Sequence, residues 1–231
     1  SGTELSFAEK YDAASKEAAS DWMLRDPDNP SSVRSAIEAA RQNARMVRTA
    51  LTAEVWGAMN GGYIDVKEAL KRRVNERDLP GVLGLIRQRT ALVRGATHGT
   101  MLRKDAYDFA RIGTFLERAD NTARILDTKY YVLLPTSAPV GSQLDNIQWE
   151  TILRSVSGAA GFRTAYGQTV KPAEIVRFLI LDKRMPRSLN FCCSKTRDNL
   201  GYLAADYGKK LDVHHMGDEL CRRFMSHDVE A

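Results

Sequence analysis

Glu117, Arg118, Asp120, Asn121, Arg124 and Asp127 crowd ionisable and amide side chains into one short stretch of the chain. On a helix, Glu117 and Asp120 are like-charged neighbours, which costs roughly a few tenths of a kcal/mol unless a cation lies between them. Arg124 can supply that cation to Asp120 at four residues' separation. Glu117 then needs a partner from elsewhere: an arginine, a backbone amide or a bound ligand. Two chemistries fit the group. A half-buried Glu/Arg network would fix helix register. A carboxylate cluster would hold a divalent cation or act as acid and base.

The other reactive residues form no comparable group. His214 and His215 are adjacent, so they point about 100° apart on a helix and cannot share one metal. His98 and His227 stand alone. Cys192, Cys193 and Cys221 are odd in number, two of them adjacent, with no CxxC or Cys/His metal spacing. Reduced thiols in a cytoplasmic protein are the expectation. No Glu-x-x-His pair, P-loop, phosphate cradle or nucleophile signature occurs, so no metal and no cofactor are assigned, and whether the chain is an enzyme stays open.

The element that must position the polar run is one long helix, predicted over 105–134. Phe109, Ile112, Leu116, Ala119, Ala123, Leu126, Tyr130 and Leu133 step by three and four, a seam expected to face other helices. Gly113, Glu117, Asp120, Arg124 and Asp127 fall on one side of it. Arg111, Phe115, Arg118, Thr122 and Ile125 fall on the other. Glu117 and Arg118 thus flank the seam and are not expected to pair with each other.

Helical spacing extends along the chain. Val33, Ile37, Ala40, Ala44, Val47 and Leu51 predict a helix with one buried stripe, started by Pro30 and Ser31-Ser32. Breaks are predicted at Gly57 and Asn60-Gly61-Gly62, at Asp78-Leu79-Pro80-Gly81, from Leu134-Pro135 to 142, and at Gly158 and Gly161. The fold class is all-α: a helical bundle of about eight or nine helices without a sheet.

The chain also resembles itself. Phe7 and Tyr11 recur as Phe162 and Tyr166, 155 residues on, and one inserted residue makes the offset 156. Asp26, Pro30, Ser32, Arg41 and Asn43 then reappear as Asp182, Pro186, Ser188, Arg197 and Asn199. Seven identities in order, at equivalent helix breaks, imply a duplicated helix-turn-helix unit, near 7–51 and 162–206. The shared aspartate is expected to cap the following helix, and the Arg/Asn pairs to make equivalent polar contacts. A basic hairpin over 63–104 and the helix at 105–134 join the two copies in a single domain.

Composition sets the outer bounds. The 231 residues can bury a substantial core, and 43% hydrophobic with 27% charged is ordinary for a globular protein. No apolar run is long enough to span a membrane, so no membrane partner is expected. The start, Ser1-Gly2-Thr3, reads as an internal fragment or a processed chain. The net charge of +5 is concentrated in 65–104, where ten basic residues face four acids (Asp65, Glu68, Glu76, Asp78). That segment reads as a solvated hairpin or as a dock for an acidic partner, a nucleotide or nucleic acid. Without interleaved aromatics the solvated hairpin is preferred.

The run Ile112-Gly113-Thr114-Phe115-Leu116-Glu117-Arg118-Ala119-Asp120-Asn121-Thr122-Ala123-Arg124-Ile125-Leu126-Asp127 resembles the motif of the bacterial alpha-E domain family, which is named for its Glu-Arg pair. Asp26 to Ser32 and Ala39 to Arg45 resemble the family's first half, and Phe178 to Asp182 and Pro186 to Leu189 its second. The resemblance covers nearly the whole chain. It implies a further Glu-Arg helix at the N-terminus and a C-terminal extension, both lacking here, with two such helices facing one another in the intact protein. It also implies the company of circularly permuted ATP-grasp proteins, transglutaminase-like proteins and a proteasome-like peptidase. The expected function is an accessory or scaffold module working with an ATP-grasp peptide ligase on short peptides. The alternatives are a peptide-modifying enzyme with its site at the Glu-Arg helix, and a nucleotide or nucleic-acid binder acting through 65–104.

Overall fold

The computed structural model of the protein describes residues 7–11, 13, 15–130, 142–169 and 171–226. The predicted loop at 134–142 lies outside them save for Ser142, and so do residues 131–134 of the predicted long helix and His227. The described residues form ten α-helices and one 3-10 turn, with no strand among them. The all-α expectation holds, with slightly more helices than the eight or nine predicted. The chain divides into two compact units, Ser1–Leu102 and Arg103–Ala231.

The first unit holds α1 (Lys16–Leu24), α2 (Val33–Met46), α3 (Ala53–Ala69) and α4 (Leu79–Thr100), preceded by a helical segment at 7–10. Successive helices pack on one another. Leu24, Val66 and Leu70 are the buried centre, and Val33, Ile37, Val74, Leu79, Val82 and Ile86 pack around them. Ser32 starts α2 by accepting a hydrogen bond from the Ser35 amide at 3.2 Å, as the sequence suggests.

Three predicted boundaries in this unit move. The helix from Val33 ends at Met46, and Val47 is half exposed, because a 3-10 turn at Arg48–Ala50 and a Thr52 cap begin the next helix. The glycines at 57, 61 and 62 sit inside α3. Gly62 shows why that is tolerated: a Cβ there would already touch Arg89 Cβ of α4 at 3.4 Å, so the small residue lets two helices approach. Pro80 falls in the first turn of α4, where its missing N–H costs nothing, so Leu79-Pro80-Gly81 starts a helix.

The second unit holds α5 (Asp105–Thr128), α6 (Gln143–Ser155), α7 (Ala159–Tyr166), α8 (Pro172–Ile180), α9 (Leu189–Tyr207) and α10 (Asp212–Ser226). The helix α5 lies along α9, which also carries α10. Contacts from Asp105 to Tyr207 and from Thr122 to Arg187 run in opposite chain directions, so α5 and α9 are antiparallel. Beside this pair, Trp149, Ile152, Leu153, Val156, Phe162, Ile175, Phe178, Leu179 and Met185 make the main core, with Ile125 and Leu126 of α5 packed against it.

The turn between α6 and α7 is unusually tight. The Gly158 amide donates to Leu153 O at 2.7 Å and the Ser157 amide to Arg154 O at 3.0 Å, the paired bonds that close a helix through a left-handed residue. Ser157 takes that left-handed position with φ 55°. Gly158 fits closely: a Cβ there would meet Met185, Val156 and Phe178 at 3.1–3.3 Å, so those side chains would have to give way by a few tenths of an ångström.

Candidate functional site

The polar run lies on α5, but the helix is rotated from the predicted orientation. Its buried positions are Asp108, Phe115, Thr122 and Lys129, spaced by seven and joined by Tyr107. Of the predicted seam, Phe109, Leu116 and Tyr130 face outward, at 58%, 56% and 64% exposed, while Ile112, Ala119, Ala123 and Leu126 are half-buried. The predicted flank of Arg111, Phe115, Arg118, Thr122 and Ile125 is therefore the packed stripe. Two of the buried polar positions, Thr122 and Lys129, are hydrogen-bonded, which is what makes their burial possible. Thr122 Oγ1 donates to Arg187 O at 2.8 Å. Lys129 Nζ donates to Asp145 at 2.5 Å and Gln148 at 2.6 Å, with Trp149 beside it.

The rotation separates the two members of the Glu-Arg motif. Glu117 is exposed and accepts a hydrogen bond from Asn121 Nδ2 one turn along the same helix. Its partner within the fold thus comes from its own helix and not from another. Asp120 accepts from Arg124 Nε at 2.7 Å, the i,i+4 pairing that the spacing predicts, and both side chains are exposed. The exposed Asp127 adds to the field on Arg124, whose guanidinium is held more firmly protonated first by the Asp120 hydrogen bond. Arg118 instead is half-buried on the packed stripe, 5.7 Å over the Phe115 ring. Arg111 covers the same ring at 4.3 Å, and Phe191 of α9 meets it edge-on. Arg118 also eases ionisation of the buried Cys192 thiol, although burial dominates and pushes that thiol up.

The structure therefore gathers Glu117, Asp120, Asn121, Arg124 and Asp127 on one open helix face and turns Arg118 away from them. No group of three or more His, Cys, Asp or Glu side chains among the described residues could hold a metal ion.

The repeat-related residues form two further polar sites, one in each unit. Asp26 accepts from Lys10 Nζ at 2.7 Å, Tyr11 Oη at 3.0 Å and the Asp28 amide at 3.0 Å. Burial alone would raise its carboxyl, but these bonds outweigh it and hold the group below the ordinary aspartate range. Tyr11 is pushed up to about 12 by burial and by that same carboxylate. Asp182 accepts from the Arg184 amide at 2.8 Å and from its guanidinium at 2.7 and 3.0 Å, which likewise hold it low. Each aspartate closes its own turn. The capping that the sequence suggested belongs to Ser32 and Ser188, whose hydroxyls accept the amides of Ser35 and Phe191.

The Arg/Asn pairs are not equivalent in their contacts. Arg41 donates to Asn60 Oδ1 at 2.9 Å and covers Tyr63, and Asn43 is exposed. Arg197 pairs with Asp198, and Asn199 is buried with its amide on Lys195 O. A helix carries these positions in both copies, but its neighbours differ, and neighbours decide the partners.

Several residues escaped the sequence reading. Trp22 and Phe178 occupy matching positions in the two copies, and each ring stands edge-on to a stacked pair, Phe7/Tyr11 in one and Phe162/Tyr166 in the other. A search for identical residues misses an aromatic exchanged for an aromatic. Cys193 and Cys221 face each other across α9 and α10 with sulfurs 2.7 Å apart, and burial with this contact pushes the Cys193 thiol up to about 12. Attention to adjacent cysteines did not reveal that pairing. Arg197 was singled out by the repeat, but not Lys183 and Lys195, which line a cavity with it.

Three of the ten basic residues of 65–104 pair with carboxylates, and one acid of the segment is taken by a lysine from outside it. Arg89 pairs with Asp65 at 2.5 Å, Lys71 with Glu68 at 3.4 Å, and Arg73 with Asp21 at 3.4 Å; Glu76 pairs with Lys16.

A family model described as Alpha-E, a predicted alpha-helical domain with a conserved ER motif, matches residues 1–231. No curated protein and no solved structure matches the chain.

Proposed function

The chain belongs to the Alpha-E family, and from that premise we propose that it is a non-catalytic docking module for an ATP-grasp-type peptide ligase, with the outer face of α5 as the docking surface. The carrying observation is the form of that face. Phe109 and Leu116 of α5, and Tyr130 two residues past its end, are exposed large side chains spaced by multiples of seven, each more than half open to solvent. Apolar groups so aligned match the pattern by which a helix seats in a partner's groove. The flanking polar groups are already engaged along the helix, Glu117 by the Asn121 amide and Asp120 by Arg124. Such a polar rim gives register and specificity while the apolar stripe supplies the binding energy.

The ligase as partner, and peptides as the shared substrate, come from the family's association with ATP-grasp, transglutaminase-like and proteasome-like proteins. The proposed location is the cytoplasm. No described helix is long and apolar enough to cross a membrane, which agrees with a partner in solution. The enzymatic reading has less support because Glu117 and Asp120 stand on an open surface, where nothing excludes water or strengthens their charge. The nucleic-acid reading has less support because residues 65–104 hold no Phe, Tyr or Trp side chain on which a base could stack.

The test is a product assay with the ATP-grasp ligase proposed as partner and Glu117→Gln. The docking module predicts peptide product within about twofold of the wild type, since Glu117 then shapes only the rim. Loss of product with complex and fold intact would instead make Glu117 catalytic.

A further inference from the structure

We propose that the second repeat copy carries a binding site for a small organic oxyanion, in a cavity of about 320 Å³ walled by Lys183, Lys195 and Arg197 with Asn190, Ser194 and Phe191. The volume lies at the lower end of the roughly 300–1,000 Å³ range of ligand pockets, larger than one inorganic oxyanion fills and suited to a small organic anion.

Charge selects the ligand class. Lys195 and Arg197 share a single carboxylate, that of Asp198, at 3.1 and 3.3 Å. Lys183 stands beside Asp182, but Arg184 already engages that carboxylate through two side-chain bonds. Asp218 of α10 acts on Arg197 through space. Counting it with Asp198, three cations face two carboxylates around one open volume. Like charges gathered about a concave surface repel one another and attract an anion there. Lysine and arginine donors suit a phosphate or a carboxylate equally, and the arginine fork adds geometric preference.

The wall is built to hold its shape. Asn190 is buried and donates to Leu181 O at 3.1 Å, and its other amide atom accepts from Ser194. Phe191 contributes an apolar side and is itself braced edge-on by Phe115. A ligand with a charged head and a carbon body fits such a surface better than a bare ion.

The first repeat copy supplies an internal control. At an offset of 156 the matching positions of Lys183, Ser194 and Lys195 are Pro27, Glu38 and Ala39. Of the three cations only Arg197 has a basic counterpart, Arg41, and that side chain is occupied by Asn60 and Tyr63. The basic set thus belongs to one copy alone. It also lies away from the outer face of α5, so its test stands or falls separately from the docking proposal.

The experiment is calorimetric titration of the full chain with inorganic pyrophosphate and, separately, with diglutamate. The expected result is saturable one-site binding of at least one probe with Kd below about 1 mM. Tighter pyrophosphate binding assigns a phosphate ligand, and tighter diglutamate binding a carboxylate. The double variant Lys183→Ala/Lys195→Ala should weaken binding by roughly tenfold or more at unchanged Tm, while Lys195→Arg and Arg41→Ala should bind like the wild type. Absence of saturable binding by both probes, or an unchanged Kd in the double variant, would overturn the proposal.

Discussion

The two faces of α5 carry similar heptads to opposite ends. Asp108, Phe115, Thr122 and Lys129 form the inner one, and Phe109, Leu116, Ala123 and Tyr130, each one residue later, form the outer. By hydrophobicity the outer set is the better core, yet three of its four members are more than half exposed and the inner set is buried. The inner face is held by specific partners: a carbonyl for Thr122, a carboxylate for Lys129, ring edges and guanidinium groups for Phe115. In the docking proposal, stability and association belong to different sides of one helix. That division explains how the Glu-Arg motif can be two unlike things, an outward glutamate and an inward arginine.

If the inner face carries stability, its largest loss should come from Phe115, which is 1% exposed. Phe115→Ala is expected to cost about 3–5 kcal/mol through lost transfer energy and the cavity left behind, read as a drop in Tm and in the denaturant midpoint. Lys129→Met should cost roughly 3–5 kcal/mol by breaking the buried Lys129–Asp145 pair. A neutral or stabilised variant would show that packing alone suffices there.

Asp108 sharpens the comparison in the other direction. Burial raises its carboxyl, and Asp206 and Asp105 add to the rise. A carboxyl that holds its proton more tightly when folded loses stability as pH rises from the ordinary aspartate range through its raised value. Asp108→Asn should remove that loss and stabilise the protein by about 1 kcal/mol at neutral pH, with no gain under acid conditions where the wild-type group is protonated. Thermal melts across about pH 3–7 would show the two curves converging on the acid side. The smallest change belongs to the outer face, where Leu116→Asp should move stability by no more than about 0.5 kcal/mol.

Much of the fold was legible in residue spacing. The serines at 32 and 188 marked helix starts because a hydroxyl that accepts a free amide is a local device, needing no knowledge of the rest. The repeat was legible for the same reason: Asp26 and Asp182 each bind the amide two residues on, and Ser32 and Ser188 close their turns identically, onto Asn29 O and Met185 O. The partners of those aspartates were not legible. Lys10 reaches Asp26 from sixteen residues away, whereas Arg184 serves Asp182 from within the turn. The face of α5 was misjudged because three of the four inner heptad positions are polar, and the burial of two of them, Thr122 and Lys129, depends on partners distant in sequence. The glycines of α3 were misread as breaks because their use, close approach to α4 at Gly62, is a tertiary fact. Of the polar run, the Asp120–Arg124 pair followed from spacing, and the outward turn of Glu117 required the helix's packing to be known.

The measurement that bears most directly on the docking surface is a titration of the ATP-grasp ligase proposed as partner with the wild type and with Leu116→Asp, followed by calorimetry. Saturable binding by the wild type, weakened by roughly a hundredfold in the variant at unchanged Tm, is the predicted result, since a charge at the centre of an apolar stripe cannot be desolvated cheaply. Equal affinity for the two proteins, or no binding by the wild type, would contradict the assignment of α5's outer face as the docking surface.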